Sequence, residues 1–130
     1  MAFLIKDGRV TQSSPPPDLV LEPTDDPALV VGSLAAARVI AVNFPRFGDG
    51  RGYSIARLLR ERYGYRRELR AVGEVARDQL FAMAQCGFDS FQLREGEDPR
   101  EALAAFKDFS EVYQATAAQP QPLFRRRLRG

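Results

Sequence analysis

From Arg38 onward the chain passes three times from a short apolar run to a longer stretch whose apolar residues recur every three or four positions. RVIAVNF (38–44) is a continuous β-branched and apolar run, as a strand covered on both faces requires. SIARLLRERYG (54–64) then places Ile55, Leu58 and Leu59 on one helical face, with Ser54 as N-cap and Gly64 after the last turn. RELRAVG (67–73) predicts a second strand, and VARDQLFAMAQCG (75–87) a helix bearing Val75, Leu80, Met83 and Ala84 and closed by Gly87. SFQL (90–93) predicts a third strand, followed by a helix from about Pro99 to Tyr113. There Asp98 can cap the free amides, Pro99 suits the first helical position and Glu101 stands where a capping box places its acid. Three consecutive β-α units predict an α/β fold with a small parallel sheet joined by right-handed crossovers.

Ahead of this core, FLIKDGRVTQ sets Asp7-Gly8 between two short apolar-containing runs, so residues 3–6 and 9–12 read as an N-terminal β-hairpin with a type I′ turn. SSPPPDLVLEPTDDP holds five prolines and reads as an extended linker, with DLVL able to form a brief edge strand. Leu29 to Leu34 fits either another strand or the entry to a short helix. The expected organisation is therefore hairpin and Pro-rich linker over 1–37, α/β core over 38–114, and a Pro- and Arg-rich tail over 115–130. In the tail, Leu123 and Phe124 are apolar side chains able to dock.

Composition narrows the classes. With 45% hydrophobic and 28% charged residues in 130, a single soluble domain is expected. The net charge is +2, yet the last twelve residues carry four arginines and no acid, leaving 15 basic against 17 acidic residues before them. Any contact with a polyanion is thereby confined to RRRLR (125–129), and no nucleic-acid surface is expected on the body. No segment is apolar for long enough to span a bilayer, and the N-terminus lacks a signal pattern, so a cytoplasmic protein without membrane contact is expected. With no histidine and only Cys86, a disulfide, a Cys/His zinc site, a cysteine-held cluster and a Ser-His-Asp or Cys-His arrangement are all excluded within one chain. No metal and no cofactor is expected.

In an open parallel sheet the ligand crevice lies beyond the carboxyl ends of the strands. The loop after the first core strand supplies Arg46, Asp49, Gly50, Arg51 and Ser54; the second supplies Gly73, Glu74, Arg77 and Asp78; the third supplies Arg94 and Glu95. GDGRGYS permits two readings. In one, glycine-widened amides at a helix start and the Arg51 fork bind an oxyanion or carboxylate. In the other, Asp49 pairs with Arg51 or Arg77 and braces a tight loop. Gly48, Gly50 and Gly52 form G-x-G-x-G, which places Arg51 where a dinucleotide loop brings its backbone against pyrophosphate, so that fingerprint does not fit. Cys86 falls at a helix C-terminus among mostly apolar neighbours and reads as a buried, inert thiol; Phe81, Phe88 and Phe91 read as core aromatics.

The phrases DGRGYS with ARLLRER, then ELRAVG, RDQL and CGFD, and an apolar helix ending near FSEVYQ, resemble the bacterial family catalogued as domain of unknown function 934, over roughly residues 38–114. The LIKDGR hairpin and the PLFRRR tail fit it too. Members of that family are commonly encoded beside an assimilatory sulfite reductase and other sulfate-assimilation genes, and often bear the label "probable oxidoreductase". The resemblance brings no catalytic residues. It implies an accessory protein that binds sulfite reductase, with the Asp49–Arg51 loop and the Arg-rich tail as candidate contacts, since the chain lacks ligands for a redox centre of its own. The alternative is a small enzyme or sensor for an oxyanion or sulfur metabolite, with Arg46, Arg51 and Arg77 binding charge and Asp49 or Asp78 as base. A homodimeric module is a third expectation.

Overall fold

The computed structural model describes residues 2–12, 14–46 and 49–116, with the side chains of 108–116 excepted. The hairpin, β1 (Leu4–Lys6) and β2 (Arg9–Thr11), turns on Asp7 and Gly8, whose φ angles of 53° and 74° are those a type I′ turn demands. Then come β3 (Leu19–Leu21), a 3₁₀ helix (Pro27–Ser33), β4 (Val39–Phe44), α1 (Gly50–Arg57) and β5 (Glu68–Gly73). A 3₁₀ turn (Arg77–Gln79) leads into α2 (Leu80–Cys86), and β6 (Ser90–Gln92) is followed by α3 (Pro99–Thr116).

All six strands join one mixed sheet in the order β2-β1-β6-β5-β4-β3. β3, β4, β5 and β6 run parallel, and the hairpin adds antiparallel to β6 through β1. The fold is thus α/β, with the three core strands side by side as expected and the sheet extended at both ends. Leu19–Leu21 supply the edge strand that DLVL allowed, and the 3₁₀ helix Pro27–Ser33 settles the segment around 29–34 as helical.

Alternation along each strand assigns its side chains to two faces. Ile40, Val42 and Phe44 of β4, Leu69 and Ala71 of β5, Phe91 of β6 and Ile5 of β1 share one apolar cluster with side chains of all three helices. The helices therefore cover one face together. The other face carries Lys6, Glu68, Arg70 and Ser90, of which Arg70 is only 1% exposed and Ser90 fully buried.

The Pro-rich segment explains how a guanidinium is buried on the face that the helices of the described residues leave uncovered. β2 and β3 occupy opposite edges, so the chain between them must traverse the sheet. Five strand spacings of about 4.8 Å make about 24 Å, and the advance from Thr11 to Leu19 at about 3.1 Å per residue in polyproline geometry is about 25 Å. The link is just long enough to go straight across. Arg70 marks its path, donating from Nη1 to the Pro15 carbonyl at 3.0 Å. At the far side Asp18 enters β3, its amide bonded to the Val39 carbonyl at 2.8 Å and its carboxylate receiving the Arg38 and Val39 amides. Three prolines suit such a strap because they hold it extended and take away donors that would otherwise need partners.

Two helix boundaries differ from expectation. The first helix begins at Gly50, capped by Asp49, whose carboxylate takes the Arg51 amide at 3.1 Å. Ser54 is therefore not the N-cap; it lies one turn inside and donates back to the Gly50 carbonyl at 3.3 Å. That helix also widens at Leu58–Arg62 into a π-type turn, with the Tyr63 amide reaching the Leu58 carbonyl. The second helix starts later than Val75, which is buried with Ala76 ahead of the 3₁₀ turn. It closes as expected at Gly87, in the left-handed region at φ 118°.

Candidate functional site

The C-terminal edge of the parallel strands collects the side chains singled out above, and most of their charge is matched on the spot. Arg51 grips Asp49 with both arms, Nε to Oδ1 at 3.0 Å and Nη2 to Oδ2 at 2.9 Å. That bond, with the Arg51 amide and Arg46 nearby, holds the Asp49 carboxyl below its usual range despite some desolvation. Gly52 stands a turn further on with its Cα against the Phe44 ring, into which a Cβ would project. Gly50 has open space around it. The brace of the loop is thus the Asp49–Arg51 pair, and the close approach belongs to Gly52. Phe47 and Gly48 lie outside the described residues.

Arg77 follows the end of β5 and so shares this edge with Arg51, but the two open into different hollows. Arg51, Gly50 and Ser54 face Pro23–Pro27 across an open hollow of about 690 Å³. Arg77 and Asp78 line another of about 600 Å³ with Arg94, Glu97, Asp98 and Glu101. In the second hollow Arg77 Nη1 bonds Glu101 at 2.9 Å and Arg94 Nε bonds Glu97 at 3.2 Å. Asp98 caps α3, accepting the Arg100 and Glu101 amides at 2.9 and 3.4 Å. Glu101 thus has its carboxylate on Arg77 across the hollow. Carboxylates outnumber guanidinium groups among these lining residues, which disfavours an anion there. Glu74 docks by its amide on the Phe44 carbonyl at 2.7 Å, and Glu95 is exposed at the same edge.

Cys86 is buried, as expected, but the surroundings are less apolar than the sequence suggested. Arg57 reaches over from α1 and places Nε 3.5 Å from its Sγ, in a hollow shared with Tyr53 and Gln85. Burial, then the proximity of Cys86 and Asp78, raises the Tyr53 hydroxyl above its ordinary pKa. An i to i+29 contact between two helices has no local sequence signal. Phe88 and Phe91 are core aromatics, and Phe81 packs half-buried against the same cluster.

At the opposite edge, where the parallel strands begin, Arg60 is committed internally, donating to the carbonyls of Gly87, Tyr65 and Arg67 at 2.8–2.9 Å and pairing with Asp89 at 3.5 Å. Asp89 also accepts the Leu69 amide at 2.8 Å. Burial outweighs both partners and lifts its carboxyl to about 6. Tyr65, buried, donates toward the Ala37 and Glu68 carbonyls at 3.1 Å, and burial raises its hydroxyl to about 12. Among the described residues the guanidinium groups of Arg62, Arg66 and Arg67, all exposed, form no hydrogen bond or ion pair. Arg66 and Arg67 line a hollow of about 500 Å³ together with Val31, Leu34, Ala35, Tyr63 and Tyr65.

Among the described residues, no group of three or more Cys, Asp or Glu side chains is placed to hold a metal ion, and no helix is long and apolar enough to cross a membrane. Fold and surface together define a small α/β protein with shallow, open hollows at both ends of its parallel strands. The family described as "Bacterial protein of unknown function (DUF934)" matches residues 18–124, and the chain belongs to that family. The match reaches beyond the core to include the edge strand β3 and its crossover. Comparisons with curated proteins and with solved structures find no match.

Proposed function

We propose that the protein acts by binding another protein, and that its partner is sulfite reductase, the setting implied by the family it belongs to. The observation that carries the binding reading is the surface of the β3–β4 crossover. There Leu29 is 84% exposed and Val31 43% exposed on one short helix, beside an open hollow. Large apolar side chains grouped on a surface favour a macromolecular contact. The test is binding of the purified protein to purified sulfite reductase holoenzyme by interferometry. A complex at micromolar concentration is expected, and no complex at that concentration overturns the proposal.

The oxyanion reading draws on Arg51, whose side chain is 60% exposed, with Arg46 near Asp49. An anion there would have to share that guanidinium with the Asp49 carboxylate, which already takes two of its donors. Calorimetry with sulfite and sulfate separates the readings: heat that disappears in Arg51→Ala favours the oxyanion site.

A further inference from the structure

We infer that the hollow between the 3₁₀ helix Pro27–Ser33 and the turn Tyr63–Arg67 docks an acidic segment of the partner protein carrying one large apolar side chain. The inference rests on the binding reading above and adds where contact is made and with what chemistry. Three observations converge there.

The first is the state of the arginines. At the C-terminal edge of the strands Arg51, Arg77 and Arg94 each hold a carboxylate. At this edge the nearby acids are turned to the protein's own backbone, Asp18 to the Arg38 and Val39 amides and Asp89 to the Leu69 amide and Arg60. Glu61 stands on the π-type turn beside Arg57. The guanidinium groups of Arg66 and Arg67 are left exposed with no hydrogen bond or ion pair among the described residues, so this end presents positive charge to whatever approaches.

The second is the cavity beside them. Leu34 is buried at its base, Val31 and Ala35 are exposed on one wall, and Tyr63 forms the other. Its volume of about 500 Å³ accommodates a large apolar side chain with part of its backbone. The third is the wall itself. Val31, 43% exposed, lines the cavity from the same 3₁₀ helix that carries Leu29, the most exposed large apolar side chain of the described residues. Guanidinium groups flanking an apolar cleft match a peptide that alternates carboxylates with an apolar anchor. A nucleic-acid backbone needs a longer cationic track without apolar exposure, and a membrane surface needs a wider apolar face.

The test uses the full chain in cells with the photocrosslinker substitution Ala35→p-benzoylphenylalanine, and Glu95→p-benzoylphenylalanine at the opposite edge as control. Captured species are mapped by mass spectrometry. The expected capture from position 35 is a protein segment with Asp or Glu adjoining Leu, Ile, Phe or Met, its yield falling at least about tenfold when Arg66→Glu and Arg67→Glu are added. Both guanidinium groups are exposed and without a bond among the described residues, and the Arg67 carbonyl that accepts from Arg60 belongs to the backbone, so an unchanged melting temperature is expected of that variant and confirms it is folded. Capture of RNA, lipid, a second copy of this chain or a segment without acids overturns the inference. So does the absence of capture, or a yield indifferent to charge reversal. If the acidic segment belongs to a protein other than sulfite reductase, the docking site stands and that partner falls. If sulfite reductase binds in solution but is captured only from position 95, the partner stands and this docking site falls.

Discussion

Arg70→Met removes the guanidinium buried beneath the Pro-rich strap while keeping most of its volume. Arg70 donates Nε and Nη2 to Glu68 Oε2 at 3.1 and 2.7 Å, and Nη1 to the Pro15 carbonyl at 3.0 Å. Breaking a buried ion pair costs about 3–5 kcal/mol because it strands the remaining charge. Here Glu68 keeps Lys6 at 2.6 Å and Ser90 at 2.8 Å, so the cost falls at the lower end, about 3 kcal/mol for methionine and more for alanine, which also leaves a cavity. That is a large fraction of the roughly 5–15 kcal/mol typical of a domain.

Urea denaturation measures the loss, and hydrogen exchange of the Asp18 amide reports on the strap, because that amide bonds the Val39 carbonyl only while the strap is seated. Faster exchange at Asp18 is expected. The double variant Arg70→Met with Glu68→Leu should regain part of the stability, since it no longer strands a charge. The pH dependence follows from Glu68. Burial raises its carboxyl, but the bonds from Lys6, Arg70 and Ser90 outweigh this and leave it below the ordinary value. The unfolded chain therefore binds this proton more readily, so the stabilisation is complete above about pH 4.5 and drains away as pH falls through the folded-state value. A loss below about 1 kcal/mol in Arg70→Met, with Asp18 exchange unchanged, refutes the strap and its anchor.

Gly52→Ala should cost about 1–3 kcal/mol in a calorimetric melt, because its Cβ meets the Phe44 ring, which Tyr53 and Phe88 hold at 5.4 and 5.6 Å; Gly50→Ala, in open space, should be neutral or slightly stabilising. Equal effects of the two would sink the distinction between them. Asp89 should titrate near pH 6 by carbon-13 NMR, and its effect on stability runs opposite to that of Glu68. With the folded value raised, the folded state holds this proton more tightly, so this group's contribution is greatest at acid pH and declines as pH rises from about 4 to 6. A midpoint below 4.5 would contradict it. Asp98→Ala should destabilise α3 by about 1 kcal/mol through loss of its cap, read as reduced helicity and melting temperature.

The order of core strands and helices was legible because each strand is a dense apolar run and each helix a periodic one. Asp7-Gly8 and Gly87 declared themselves because few other residues suit those backbone angles. The early start of α1 was not legible: GDGRG reads as loop by its glycines, although an aspartate ahead of a helix is an N-cap signal in its own right. Nor was the strap, since a proline run shows only that a segment is extended; that it crosses a sheet follows from β2 and β3 ending at opposite edges. Arg70 carried a faint sign, because Glu68 and Arg70 at i and i+2 of an apolar strand must face the same way, yet their partners Lys6, Pro15 and Ser90 come from distant segments.

The candidate site divides along the same line. Parallel neighbours alone put Arg51 and Arg77 at one edge of the sheet, where they line separate hollows. What composition could not disclose is which charges are already matched. Arg51 holds the carboxylate two residues before it, and Arg77 and Arg94 hold acids from the start of α3 and the loop ahead of it. Arg66 and Arg67, adjacent in sequence, are exposed and hold no carboxylate among the described residues. A paired guanidinium contributes little to a new anion until its first partner is displaced, whereas an unpaired one beside an apolar cleft contributes its charge at once. The pairing of charges, more than their number at an edge, is therefore what distinguishes the end of the sheet where the parallel strands begin as the one able to attract a new carboxylate.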